Sequence, residues 1–238
     1  MAQYFTDFSE YTTGSAPSDW TARWVTTNVT YSIVDDAGAT GGKVFRAAVT
    51  AIGRIGISWN DIDSDGDRSN AEIFTRFRTS IVRAYSATIG PFVRGSGTGT
   101  NVTAYFLGIP DGNKYGVNEY VSGTFASIST VSFTLSANTW YYSRFRVNGS
   151  DLKAKFWSGA IGDEPASWGI ETTDTSISAA GWVGLWNLSD ATHEYDVFGV
   201  GTNGDTAPSS SPSAGVVGPL TFGRLTGGGI LAGGRLIR

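Results

Sequence analysis

The sequence predicts an all-β protein in which two antiparallel sheets pack face to face, followed by an extended, glycine-rich C-terminal tail. Short segments of alternating apolar and polar residues recur along most of the chain. Gly, Asn and Asp fill the gaps between them, and triplets such as Asp111-Gly112-Asn113 and Asn148-Gly149-Ser150 favour hairpin turns. No helical pattern separates the strands, which argues against a parallel sheet.

Thirteen segments carry the strand pattern, and two packed sheets are the natural arrangement for so many short strands. Residues 141–147 show the pattern most clearly, because one set of alternate side chains suits a core and the other set is polar. In chain order the predicted strands are residues 29–34, 43–49, 53–59, 71–78, 87–93, 100–108, 114–121, 127–135, 140–147, 152–157, 176–178, 181–186 and 194–200.

Composition limits the classes of function. The chain has 238 residues, enough for one large β domain with an appendage, and 13% of them are aromatic. The net charge of −4, with basic residues scattered along the strands, gives no footprint for nucleic acid. The count of Cys is 0, which excludes disulfides, a catalytic cysteine and cysteine-ligated metals. We expect neither a secretory signal nor membrane insertion, because the sequence shows no signal pattern and no long apolar run.

Three regions are predicted. Residues 1–204 form the β-sandwich, residues 205–214 form a Pro/Ser-rich linker, and residues 215–238 form an apolar tail without acidic residues. The tail contains two Gly-Arg-Leu steps, and it is either a last hairpin of the domain or, as we favour, a docking arm for another subunit. Its predicted docking residues are Leu220, Phe222, Arg224, Leu225, Ile230, Leu231, Arg235, Leu236 and Ile237.

Three stretches resemble one known superfamily. They are DFSEYTTGSAPSDWTARW (residues 7–24), TWYYSRFRVNGSDLKAKFWSGAIGDEPASW (residues 139–168) and GWVGLWN with EYDVFGVGTNG near the end of the domain. Together they resemble the concanavalin A-like lectin/glucanase superfamily, the laminin-G and pentraxin-like jelly roll, in the form found in bacteriophage virion proteins. The resemblance covers about residues 1–204 and implies a jelly-roll sandwich.

The resemblance also implies a role and a location. It suggests a non-enzymatic structural protein of a phage particle, a head decoration, fibre or tail component, made in the host cytoplasm. Residues 215–238 would then bind other virion subunits, and we expect a homo-oligomer. The alternative is a carbohydrate-binding adhesin or receptor-binding module for a surface glycan, and a glycan-cleaving enzyme is the least favoured interpretation.

No catalytic residue is predicted. Glucanases of the superfamily place two or three acids at alternating positions of one strand, whereas Glu72 is followed on its own face by Phe74, Arg76 and Arg78. The single histidine, His193, lies in the segment SDATHEY, which we interpret as a solvated loop.

One acidic segment matches a calcium-binding pattern. Residues 61–72, DIDSDGDRSNAE, fit the twelve-residue loop D-x-D-x-D-G-x5-E, although both flanks have strand patterns instead of helical ones. The alternative is a solvated acidic loop, so no cofactor is required and Ca²⁺ is the one candidate. The predicted ligands are Asp61, Asp63, Asp65, Asp67 and Glu72.

Aromatic residues near loops are candidates for glycan binding, because sugar faces stack on exposed rings. Trp and Tyr also fill sandwich cores, so each candidate has a structural alternative. The four candidates are Trp20, Tyr115, Tyr120 and Trp168.

Overall fold

The chain folds into two antiparallel sheets packed face to face, in a computed structural model that describes residues 2–63, 68–82, 88–111 and 113–211. The strands are β1 Gln3–Thr6, β2 Trp20–Val25, β3 Val29–Asp35, β4 Lys43–Val49, β5 Gly53–Trp59, β6 Ala71–Thr79, β7 Thr88–Ser96, β8 Thr103–Asp111, β9 Lys114–Val121, β10 Thr124–Ser132, β11 Tyr141–Asn148, β12 Asp151–Ser158, β13 Ile170–Thr173, β14 Trp182–Ser189 and β15 His193–Thr202. Helical structure in these residues is limited to α1, Asn60–Asp63, and a 3₁₀ turn, Ile161–Asp163. Neither is long and apolar enough to cross a membrane.

The two sheets interleave in sequence, which confirms the predicted jelly-roll class. Sheet A has the order β13-β12-β11-β6-β15-β4-β3, and β1 pairs with the second half of β15. Sheet B has the order β10-β9-β8-β7-β14-β5-β2. Every described pairing is antiparallel. Because strands that follow each other in sequence often belong to different sheets, the chain passes repeatedly between the sheets through loops at the ends of the sandwich.

Alternation along the strands places one residue set between the sheets and the other on the outer faces. The inward set forms the main core and includes Phe45, Phe77, Phe145, Tyr195 and Phe198, all fully buried. This core carries most of the apolar burial, the dominant favourable term in folding.

Each outer face carries a smaller aromatic cluster. On sheet B, Trp186 follows the core residue Leu185, and Phe106 follows the core residue Tyr105, so both rings point away from the main core. We call the sheet B cluster the aromatic floor, and it comprises Trp24, Phe92, Phe106, Tyr120 and Trp186. The sheet A cluster comprises Phe74, Tyr142, Trp157, Val197 and Ala207.

Ion pairs run across the outer face of sheet A beside its aromatic cluster. Most of these pairs join opposite charges on neighbouring strands, and the pairs with Asp36 and Glu164 join a strand to a loop. We call this set the charge ladder, and its pairs are Arg46–Glu194, Arg78–Glu194, Arg78–Asp36, Arg76–Asp196, Arg146–Glu72, Arg144–Glu72, Arg144–Glu164, Lys155–Glu164 and Lys153–Glu171. The ladder occupies the face that would otherwise be open to solvent.

The chain after β15 folds back over sheet A. The Ala207 amide donates to the Glu72 carboxylate, and the Ala207 carbonyl accepts from Arg144 at 2.9 Å. A Cβ at Gly199 would lie 2.0 Å from the Pro208 carbonyl oxygen, so this glycine permits the close approach. The packed domain therefore extends beyond the predicted boundary at residue 204, into the segment predicted as the linker, because residues 205–208 are held against sheet A. Residues 212–238 lie outside the described residues.

A buried arginine ties three loops together at one end of the sandwich. Arg94, 3% exposed, donates hydrogen bonds to the carbonyl oxygens of Ser69, Gly149 and Ile177. The Ile177 amide donates to the Tyr105 hydroxyl. The predicted strand at residues 176–178 is therefore wrong: its backbone groups bind side chains instead of a neighbouring strand.

Candidate functional site

A cleft opens on the outer face of sheet B, beside its edge strand β2 and the neighbouring strand β5. Its volume is about 440 Å³. The end of β2, the start of β5, the end of β14 and the loop between β7 and β8 form its walls. The lining residues that concern its chemistry are Arg23, Trp24, Val25, Ile52, Arg54 and Leu188.

The aromatic floor gives the cleft a rigid base. The Trp24 ring centroid lies 5.1 Å from that of Phe92 and 5.7 Å from that of Trp186, and Phe106 lies 4.7 Å from Trp186. Aromatic pairs at these separations contribute about 0.5–1.5 kcal/mol each beyond their burial. The Trp24 indole N–H also donates to the Gly97 carbonyl oxygen, which holds the β7–β8 loop against the floor.

Gly56 allows the Trp24 indole to lie across β5. A Cβ at this position would lie 2.4 Å from the Trp24 ring and 3.2 Å from the Trp186 ring. Any side chain at residue 56 would therefore displace part of the floor, and the wall of the cleft with it.

Two arginines stand over the aromatic rings. The Arg54 guanidinium carbon lies 5.4 Å from the Trp186 ring centroid and 5.8 Å from that of Tyr120. The Arg23 guanidinium carbon lies 4.2 Å from the Trp182 ring centroid, and its Nε donates to the Ser58 hydroxyl at 2.9 Å. Both positions lie within the range of cation–π attraction, which holds the charged groups at the cleft.

The rim of the cleft is apolar and exposed. Ile52 is 72% exposed and Val25 is also exposed, and both side chains line the opening. No Asp or Glu is among the described residues that line it. Burial raises the pKa of the Tyr120 phenol beneath Arg54, and the arginine charge opposes that rise, so this buried ring stays neutral at physiological pH. The cleft thus combines positive charge with apolar contact surface.

The four predicted glycan-binding aromatics lie in three separate places. Tyr120 belongs to the aromatic floor, whereas Trp168 lies half-buried on the sheet A side with Lys155 4.9 Å from its ring centroid. Trp20 stacks on Trp59 within the main core at 5.6 Å. Tyr115 stacks there on Phe156 at 4.9 Å. The prediction needs correction for Trp20, Tyr115 and Tyr120, because all three side chains are buried, at 9%, 3% and 8% exposed, and offer no ring face to a ligand.

The acidic segment is described only in part. Asp61 lies in α1, whereas Asp65, Asp67 and the Asp63 side chain lie outside the described residues. Glu72 is 1% exposed, and Arg144 and Arg146 both donate to its carboxylate. In the described part of the chain, no three acidic or histidine side chains converge as a metal site would require. Calcium binding stays a prediction, and an ion at Glu72 would have to displace these arginines.

The single histidine is placed differently from the prediction. His193 is the first residue of β15 and is fully buried, so it is not a solvated loop residue. Burial lowers the pKa of its imidazole to about 3, partly opposed by Asp190, so the ring is neutral at physiological pH. It lies beside a small cavity whose lining is mainly apolar and includes Ile81 and Ile89, away from the cleft. The assembly-tail residues, Leu220 to Ile237, lie outside the described residues.

Sequence reasoning did not identify Arg54, Ile52 or Trp24 as site residues. They come from separate segments, and each is ordinary in its own strand or turn. Only the pairing of β2 with β5, and of β5 with β14, brings them to one edge of sheet B.

The arrangement of the sheets defines the fold class: an antiparallel jelly-roll β-sandwich. Among solved structures, the chain is similar to the carbohydrate-binding module CBM66 from Bacillus subtilis, with a TM-score of 0.52 and 16% identity over 78% of this chain and 96% of that one. It is similar to the conserved carbohydrate esterase of the Shiga toxin-encoding bacteriophage phi24B, with a TM-score of 0.50 and 16% identity over 77% and 90%.

A third similar structure is a protein of unknown function from Shewanella oneidensis MR-1, with a TM-score of 0.53 and 16% identity over 87% of this chain and 89% of that one. At these identities the likeness establishes the fold. No protein-family model and no curated protein matches the sequence.

Proposed function

We propose that the β-sandwich is a non-catalytic carbohydrate-binding module, and that the cleft on sheet B is its ligand site. The observation that carries the proposal is an opening of about 440 Å³ that combines an exposed apolar rim, Val25 and Ile52, with the arginine donors Arg23 and Arg54. The buried aromatic floor lies beneath it and keeps its base rigid. Carbohydrate sites need these elements, because C–H faces contact apolar surface while hydroxyl groups require hydrogen-bond donors.

The similar structures support this proposal by analogy of fold. One of them is itself a carbohydrate-binding module, and another is a carbohydrate esterase from a bacteriophage. Because one fold can serve several activities, the cleft chemistry must separate binding from catalysis. Hydrolysis of a glycosidic bond uses a pair of carboxyl groups, and the described lining of the cleft supplies none. The lining therefore favours binding without catalysis.

We further propose that the module is a virion component of a bacteriophage, made in the host cytoplasm and joined to other subunits through residues 215–238. The observation behind this part is the tail sequence, in which apolar residues and two Gly-Arg-Leu steps occur without any acid. Such a segment carries more apolar surface than a solvated tail needs, and a partner subunit would cover it.

The binding proposal is tested by a variant at the rim of the cleft. We expect Ile52→Ser to weaken glycan binding several-fold while leaving folding intact, because this side chain is 72% exposed and contributes contact surface instead of core packing. The measurement is a glycan array followed by isothermal titration with the best ligand.

Ile161→Ser is the matched control, since Ile161 is 43% exposed in the 3₁₀ turn and does not line the cleft. Equal binding by both variants and the parent chain would remove the cleft as the ligand site. No binding to any glycan on the array would contradict the proposed function itself.

A further inference from the structure

Unlike the arginines of the charge ladder, Arg54 pairs with no acidic side chain among the described residues. No hydrogen bond or ion pair joins its side chain to any described residue, and its guanidinium lies over the Trp186 and Tyr120 rings. By contrast, Arg76 pairs with Asp196, and Arg144 pairs with Glu72. A guanidinium carries five N–H donors, so Arg54 presents hydrogen-bonding capacity at the cleft that the fold does not use.

The buried Arg94 shows that an arginine in this protein need not pair with an acidic side chain when other acceptors bind its N–H groups. Its N–H groups donate to three carbonyl oxygens, and its role is structural. Arg54 is half-buried, makes no such bonds to the described residues and lines an open cleft. Its unused donors are therefore available to a ligand.

The charge distribution favours anion binding at this position. The chain carries a net charge of −4, so its overall field repels an anion and attraction must come from a local site. Arg54 and Arg23 both line the cleft, and no carboxylate is among its described lining residues. Stacking on Trp186 and Tyr120 holds the Arg54 guanidinium in place, which reduces the entropy lost when it binds a ligand.

We propose that the cleft binds an acidic glycan and that the Arg54 guanidinium receives a carboxylate of its sugar units. This inference rests on the proposed function and names its ligand class. A planar guanidinium forms two parallel hydrogen bonds to a carboxylate, an arrangement that a neutral hydroxyl group cannot reproduce. The exposed Val25 and Ile52 side chains would contact the C–H face of the same or the next sugar.

The test compares the parent chain with Arg54→Gln and with the control Lys153→Gln. Both changes remove one positive charge, but Lys153 lies on sheet A, where it pairs with Glu171. The acidic probes are polygalacturonate, alginate and hyaluronate, each beside its methyl ester, which keeps the sugar backbone and removes the charge. Dextran and xylan serve as neutral probes, and dextran sulfate serves as a sulfated probe. Binding is measured by affinity electrophoresis and titration calorimetry, and thermal melts verify that the variants are folded.

We expect the parent chain and Lys153→Gln to bind at least one acidic probe and to bind its ester much more weakly. Arg54→Gln should lose roughly tenfold or more in affinity, the scale of a charge-assisted bidentate contact. The parent's binding should also weaken as ionic strength rises.

Equal affinity of Arg54→Gln and the parent chain would overturn the assignment to Arg54. Equal binding of acid and ester, or binding to neutral probes alone, would overturn the acidic ligand while leaving the proposed carbohydrate-binding function in place. Binding to dextran sulfate without binding to any carboxylated probe would overturn the carboxylate assignment. Absence of binding to every probe would contradict the proposed function as well.

Discussion

His193 is enclosed at the start of β15, although its neighbours Ser189, Asp190 and Thr192 are typical of an exposed turn. Because burial lowers the pKa of its imidazole to about 3, the ring folds in its neutral form. In the unfolded chain the pKa of the same imidazole is near its ordinary value of 6.5. Between these two values the unfolded state binds more protons than the folded state, so acid favours unfolding.

We expect the free energy of unfolding to fall as pH decreases from about 6.5 toward 3, with His193 contributing up to about 1.4 kcal/mol per pH unit. His193→Gln should unfold with a shallower dependence on pH over this range, whatever its stability at neutral pH. Urea unfolding of both proteins at several pH values measures the difference. Because both proteins contain the same carboxyl groups, any difference in slope is due to His193. Equal slopes of unfolding free energy against pH would mean that protonation of His193 does not destabilise the fold.

The sequence predicts which aromatic residues the sandwich contains, but it does not predict which side of a sheet each ring occupies. The identities of Trp20, Tyr115 and Tyr120 predict aromatic packing, but identity does not reveal which side of a sheet a ring occupies. That side follows from the register of each strand, and the bulge at Arg23 shifts the register of β2 just before Trp24. The aromatic content was therefore predictable, whereas the floor of the cleft was not.

At the scale of the strands, Glu72 connects β6, β11 and the returning chain. Its carboxylate accepts from Arg144, Arg146 and the Ala207 amide, and it is almost fully enclosed. Removing one partner of a buried ion pair leaves the others without compensation. We expect Glu72→Gln to lower the free energy of unfolding by about 3 kcal/mol in urea titrations at neutral pH.

Glu171→Gln provides the control for this prediction. It makes the same chemical change on sheet A, but Glu171 is 56% exposed where it pairs with Lys153, so the loss should stay below about 1 kcal/mol. Similar losses of unfolding free energy in the two variants would mean that the buried ion pairs of Glu72 stabilise the fold no more than an exposed ion pair does.

Most strands were predictable, because their alternation and turn residues agree with the register that the sheets adopt. Three were not among the thirteen predicted segments. The strands β1 and β13 are only 4 residues each, too short to show a period, and the bulge in β2 interrupts its alternation. Residues 176–178 show the opposite case, since buried Ile177 mimics a strand while Tyr105 and Arg94 bind its backbone.

At the scale of the whole molecule, the tail proposal predicts that folding and assembly separate. A chain ending at residue 214 should keep the melting temperature of the full chain, because it retains residues 205–208 and their contacts with sheet A. It should no longer be incorporated into particles. Calorimetry and phage complementation with the truncated gene measure the two properties, and normal incorporation would contradict the proposal.

The cleft is a property of the whole fold. Its walls come from four separated segments, and its chemistry depends on Gly56 and on an arginine that has no partner among the described residues. Composition could predict a sandwich with many aromatics, but it could not predict that Arg54 and Ile52 meet at one edge of sheet B. Such a juxtaposition depends on the order in which strands join a sheet, which local sequence patterns do not encode.

The path of the chain after β15 determines which side of the sandwich faces the C-terminal tail. Residues 205–208 are bound to the outer face of sheet A, and Ser211 lies beside the end of β1. The cleft opens on the outer face of sheet B, on the opposite side of the sandwich. A partner that holds the chain just beyond residue 211 would therefore lie on the sheet A side, and the proposed ligand site on sheet B would point away from that partner.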